Sequence, residues 1–187
     1  VALKPGHIFA VGLGASNGET AVYKLENKIV PGEGKMETQG VRHDRAVKES
    51  IDAAWRYFTE NGQKIAAGED LYDYDYLLYY QDSQSKGLSD QISLAEFIAL
   101  CSALSRRPVK ESLVVAGDLK LSGTLNELKN IEDIFRVCKN AGARRILLPA
   151  EYTAETHALP RELLSRVEPV FYDNPVDAAR KALKEQV

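Results

Sequence analysis

Between Leu94 and Leu104 the sequence runs LAEFIALCSAL, and its apolar residues fall on almost every side of a helix. Leu94, Phe97, Ile98, Leu100, Cys101, Ala103 and Leu104 cannot all face one neighbour. A helix of this kind is central and buried, so the rest of the chain must surround it. Pro108 marks its end and the polar loop Asp82 to Asp90, DSQSKGLSD, precedes it. Apolar residues are spread along all 187 positions, and one α/β domain over 1–187 with a single core is the simplest organisation.

The surrounding elements are readable from their periods. His7 to Leu13 is β-branched and aromatic, and Thr20 to Val30 alternates as a second strand. The GLGASNG between them lacks the Lys-Ser/Thr and following helix of a phosphate loop, so it is a hairpin connection. PGEGK, Pro31 to Lys35, is a second turn. Asp44 to Asn61 carries Val47, Ile51, Ala54, Trp55 and Phe58 as one helical stripe, with Gly62 as its stop. The tyrosine-rich DLYDYDYLLYYQ has no basic partners for base stacking and is a half-buried strand from about Asp75. Ser112 to Leu121 and Ser122 to Leu128 suggest two strands around a turn at Ser122–Gly123. Ile131, Ile134, Phe135, Val137, Cys138 and Ala141 then make a helix stopped at Gly142, and Arg145 to Leu148 a short apolar strand. Strand, helix and strand at this spacing predict a right-handed crossover. Pro169 to Tyr172 is a last strand, and Asn174–Pro175 opens a helix from Val176 to Lys184.

Several function classes have little support. The formal net charge of −3 argues against binding nucleic acid mainly through phosphates, and Arg106–Arg107 and Arg144–Arg145 are solvated element ends. No apolar run approaches the ~20 residues that cross a bilayer, and the N-terminus lacks the order of a signal peptide. Cys101 and Cys138 lie on apolar helix faces, as small core residues of a reducing, cytoplasmic compartment. His7, His43 and His157 share no ligand spacing, and no metal or cofactor is expected in this domain. The chain begins without Met, and a piece of a longer protein is expected.

Four tracts carry a resemblance. They are Ser102-Ala-Leu-Ser-Arg-Arg-Pro-Val109, Gly117-Asp-Leu-Lys-Leu-Ser-Gly123, Ala141-Gly142 and Ile146-Leu-Leu-Pro149. In this order they resemble the C-terminal proteolytic domain of Lon proteases, and GEGKMETQGV, Gly32 to Val41, is similar to that family's earlier part. The tracts ISLAEFIALCSAL, ESLVVAGDLKLSGTLNEL and AGARRILLP resemble more closely the Lon-related family of BREX phage-defence systems. The resemblance implies an α/β (α+β) Lon proteolytic-domain fold, shared with the second domain of a small-subunit ribosomal protein, with mixed sheets and packed helices. It also implies an upstream AAA+ ATPase module using ATP and Mg. A homo-oligomeric ring, hexameric in the parent protein, and DNA contacts through other parts of that protein are further implications.

The same resemblance locates the chemistry. Counting without gaps places Gln91 at the family's nucleophilic serine and Glu132 at its catalytic lysine. The family's Asp-Gly-Pro-Ser-Ala-Gly loop corresponds to Leu88-Ser-Asp-Gln-Ile-Ser93. A Ser–Lys dyad needs a hydroxyl within reach of a lysine kept neutral by desolvation, and glutamine cannot attack as an alkoxide. The first expectation is therefore a catalytically degenerate domain kept for assembly. The second is a shifted dyad, in which Ser89 or Ser93 meets Lys129. Lys129 is three residues before Glu132 and would share its helix face. Glu132 would favour the charged ammonium there, and Ser93-Leu-Ala-Glu96 also matches a helix capping box. The third expectation is a free-standing binding domain with no ring.

Overall fold

A computed structural model describes residues 2–41, 44–82 and 86–185. His43 and the middle of the Asp82–Asp90 loop, 83–85, lie outside the described residues. The strands are β1 (His7–Leu13), β2 (Thr20–Pro31), β3 (Met36–Gln39), β4 (Tyr74–Tyr79), β5 (Leu113–Val115), β6 (Arg145–Pro149) and β7 (Glu168–Tyr172). The helices are α1 (Arg45–Asn61), α2 (Ser93–Ser105), α3 (Ile131–Asn140), α4 (Thr153–His157), α5 (Arg161–Leu164) and α6 (Pro175–Ala182).

One seven-stranded mixed sheet runs in the order β3-β4-β2-β1-β5-β6-β7. β2 is antiparallel to both β1 and β4, and the remaining neighbours are parallel. The antiparallel half follows from short connections: Gly14 N–H donates to Glu19 O at 2.8 Å and closes the β1–β2 hairpin. The parallel half needs crossovers, and α3 joins β5 to β6 as expected. Helices α1, α2 and α6 pack on one face of the sheet, and α3, flanked by α4 and α5, on the other.

All thirteen residues of α2 are buried. β1 and β2 lie under it, and α1 and α6 pack beside it. Alternation on β2 supplies the facing surface, since Ala21, Tyr23, Leu25 and Asn27 are buried between more exposed neighbours. Phe97 is wholly buried, and the Tyr57 ring of α1 meets it edge-on with centroids 4.8 Å apart. The helix ends before Pro108 is reached. Arg106 turns left-handed at φ 56°, and the N–H groups of Arg106 and Arg107 donate back to Ala103 O and Ser102 O.

α1 stops at Gly62 as expected, with φ −58° there and a 3-10 turn beyond it. A side chain there would meet the Phe58 ring 2.8 Å away, so close packing explains the glycine. The two strands expected between Ser112 and Leu128 shrink to β5 and a single bridge, Leu119 to Leu125. The pairing of β5 with β6 ends with Ala116 N–H to Leu147 O at 2.8 Å, and among the described residues the tip beyond has no neighbouring strand. The last helix ends at Ala182, because Leu183 is extended and Lys184 N–H bonds Pro108 O at 2.9 Å. Its start is as expected, with Asn174 accepting from Asp177 N–H at 2.8 Å and Pro175 in the first turn.

Removing the Phe97 ring leaves a cavity beneath the central helix. Phe97→Ala is predicted to cost about 3–5 kcal/mol, read as a lowered urea midpoint with an unchanged slope.

Candidate functional site

Two phenols fasten the loop that leads into α2, and Tyr23 donates to Gly87 O at 2.7 Å. Tyr80, fully buried just beyond β4, accepts from Ser89 N–H and donates to Ser89 O, both at 3.0 Å. Burial pushes this phenol far above its usual range, so it stays neutral and keeps its proton to donate. A bridge between Gly14 and Ser89 holds the loop against the end of β1. Gly12 permits the approach: a Cβ there would lie 2.3 Å from Ser89 Oγ and 3.1 Å from Gln91 Cβ.

Within this loop Gln91 is bonded at both ends. Its backbone N–H donates to Ser89 Oγ at 3.1 Å, and its side-chain Oε1 accepts from Leu13 N–H at 2.8 Å. β1 pairs with β5 only at Phe9 and Ala10, so by Leu13 the neighbouring strand has left. The Gln91 carboxamide takes the backbone donor at this fork. Ser89 is wholly buried, its hydroxyl engaged by Gln91.

Ser93 is also wholly buried, in the first turn of α2. Its hydroxyl accepts from Leu119 N–H and donates to Asp118 Oδ1 at 3.3 Å. The other carboxylate oxygen of Asp118 accepts from Asn126 Nδ2 at 2.8 Å. Burial raises the Asp118 pKa, opposed by the bonds from Asn126 and Ser93. The group thus pins the 117–126 hairpin to the start of α2. The expected capping box is absent. Ile92 is the N-cap, and the Glu96 side chain turns to Asn27 Nδ2 at 2.7 Å.

Lys129 and Glu132 do not share a helix face. Lys129 precedes the helix, and Asn130 between them is left-handed at φ 57°. Lys129 is exposed, without the desolvation that a neutral lysine base requires. Glu132 is on the surface in the first turn of α3 and accepts from Arg136 Nε at 3.1 Å, while Arg136 also meets Glu162 at 3.3 Å. Among the described residues neither Ser89 nor Ser93 has a hydrogen bond to a lysine, and none joins Gln91 to Glu132. The structure therefore gathers Ser89 and Gln91 in the loop and Ser93 in the turn of α2 that follows it, and leaves Lys129 and Glu132 apart from them.

Tyr80, Asp118 and Asn126 organise the loop and were not singled out by sequence. Asp118 follows Gly117 in a tract that carries the family resemblance, whereas Tyr80 belongs to a run with the period of a strand. Among the described residues no cluster of three His, Cys, Asp or Glu could hold a metal ion, and no helix is long and apolar enough to cross a membrane. Cys101 and Cys138 are buried and free, their thiols raised by burial.

A seven-stranded mixed sheet around a fully buried helix, with a fixed loop before it, is the scaffold of a Lon-type proteolytic domain. Residues 5–185 match the Lon protease (S16) C-terminal proteolytic domain, and the chain belongs to that family. It is 41% identical over 180 residues to the Lon-like protease BrxL of Bacillus cereus, covering 96% of this chain and 26% of that protein. It is 34% identical over 180 residues to the Lon-like protease BrxL of Escherichia coli, with the same 96% and 26% coverage. Lon protease 1 of Thermus thermophilus is 27% identical over 150 residues, 80% of this chain and 19% of that protein. The chain thus spans about a quarter of the length of its BrxL relatives.

Tyr80→Phe keeps the ring and deletes both bonds to the Ser89 backbone. It is predicted to cost about 2 kcal/mol in denaturant unfolding, because two buried main-chain groups lose their partner.

Proposed function

We propose that this chain is a catalytically degenerate Lon-like domain, an assembly module of an ATP-driven, DNA-associated ring protein in BREX phage defence. The observation that carries the reading is Gln91 at the nucleophile position, with its carboxamide bonded to Leu13 N–H at 2.8 Å. A carboxamide has no proton that a general base can remove to make a nucleophile at neutral pH. Glu132, at the lysine position, is engaged by Arg136 on the surface. The two BrxL relatives, at 41% and 34% identity, support the BREX setting.

In this reading the domain keeps its fold for subunit contacts in a hexameric, cytoplasmic ring. ATP and Mg bind an AAA+ module elsewhere in the whole protein. The net charge of −3 fits DNA contacts made by other parts of that protein. A relocated Ser–Lys dyad has no geometric support, since both candidate hydroxyls are buried and committed to other partners.

The test is cleavage of unfolded casein by this chain and by the whole protein with ATP and Mg, with circular dichroism confirming that both are folded. The expected result is no cleavage by either. Cleavage that disappears in Ser89→Ala or Ser93→Ala together with Lys129→Ala would overturn the reading.

A further inference from the structure

Glu96 is a wholly buried carboxyl group on the central helix, outside the loop at the candidate site. Asn27 of β2, only 4% exposed, faces it and donates from Nδ2 to Glu96 Oε1 at 2.7 Å. Among the described residues no cation pairs with Glu96. A buried carboxylate with one hydrogen bond is strongly unfavourable. Among the described residues two buried oxygens here also lack partners, Glu96 Oε2 and Asn27 Oδ1. They are the second oxygen of the acid and the carbonyl of the amide, the two groups already joined by one bond. A proton on Oε2, donated to Oδ1, satisfies both at once and closes the two-bond ring that an acid and an amide form.

The same pair anchors the start of the chain. Asn27 donates to Gly6 O from its backbone N–H at 2.9 Å and from Nδ2 at 3.3 Å. Gly6 N–H in turn donates to Ser102 Oγ of α2 at 2.9 Å. An open pocket of about 590 Å³ lies beside Asn27, lined in part by Lys4, Pro5, His7, Ala103 and Arg106. We propose that Glu96 is a neutral carboxylic acid ringed with Asn27, and that the ring is a proton-dependent latch holding the segment around Gly6 across α2.

The direction of pH dependence follows. Burial lifts the Glu96 carboxyl from 4.5 to about 8, opposed only by the Asn27 bond. Between these values the folded chain holds a proton that the unfolded chain has released. The stabilisation is complete below the unfolded pKa of 4.5 and is lost as pH rises to the folded value of about 8. Other groups in the packing layer are Tyr57 of α1, Tyr23 of β2, Tyr76 of β4 and Cys101 of α2, all raised by burial and neutral over this range. Lys24, Glu26 and Lys28 of β2 alternate to the opposite face. Arg56 and Glu60 of α1 pair with each other at the surface, as do Asp177 and Lys181 of α6. His7 of β1 is lowered by burial and acts in the opposite sense, losing stability as pH falls.

Glu96→Gln isolates the effect, because a second carboxamide keeps both ring bonds and cannot ionise. Melting of both chains from about pH 5 to about pH 9 should show the wild type falling relative to the variant. Hydrogen-exchange protection at Gly6 and Asn27 should drop in the wild type, relative to the variant, by up to about tenfold per pH unit between about pH 5 and the midpoint, and level off above it. Carbon-13 NMR of the Glu96 carboxyl in the wild-type chain should give a midpoint near 8 and decides the case even where the variant fails to fold. A carboxylate already present at about pH 6, or parallel melting profiles, overturns the ring. A midpoint near 8 with unchanged protection at Gly6 overturns the latch.

Discussion

Everything in this molecule depends on burying one helix on all sides. With every residue inside, α2 has no solvent face, and its polar side chains must find partners within the protein. Ser105 returns its hydroxyl to Cys101 O, Ser102 holds Gly6 N–H, Ser93 holds Leu119 N–H, and Glu96 meets Asn27. These bonds reach the chain start, the hairpin after β5 and the second strand. Apolar burial drives the helix inward, and the few polar groups set which segments lie around it.

The candidate site inherits this rigidity. Its loop runs directly into the first turn of α2 and is clamped by Tyr80, so residues 89–93 are fixed by the scaffold. Such a loop could present a nucleophile, and here it presents a glutamine that bonds the end of β1 on the side that β5 has left. Gln91 makes its own hydrogen bond at this position, so the fold does not need a serine there. The Glu132–Arg136 pair is likewise a surface ion pair along one helix, modest in stability and tied to nothing in the loop.

Local pattern carried much of the architecture. β1 follows its β-branched run from His7 to Leu13, Asp44 caps α1, and Gly142 at φ 91° follows the end of α3. Each depends on residues a few positions apart. The misreadings arose where distant partners decide. The hairpin after β5 looks like strands but has no strand beside its tip, and Ser93 looks like a cap until a backbone amide 26 residues away takes its hydroxyl. Lys129 seemed aligned with Glu132 because nothing in their spacing reveals the left-handed Asn130. Gln91 and Glu132 were legible as departures from a family pattern, whereas the Asn27–Glu96 pair, 69 residues apart, was not.

The central claim is that no hydroxyl in this loop is activated as a nucleophile. An activated serine is captured covalently by a phosphonofluoridate probe, and intact mass spectrometry reads the adduct directly. The whole protein, incubated with probe and ATP, should remain unmodified at Ser89 and Ser93. An adduct on either serine that vanishes in Lys129→Ala would contradict the account and establish a working dyad.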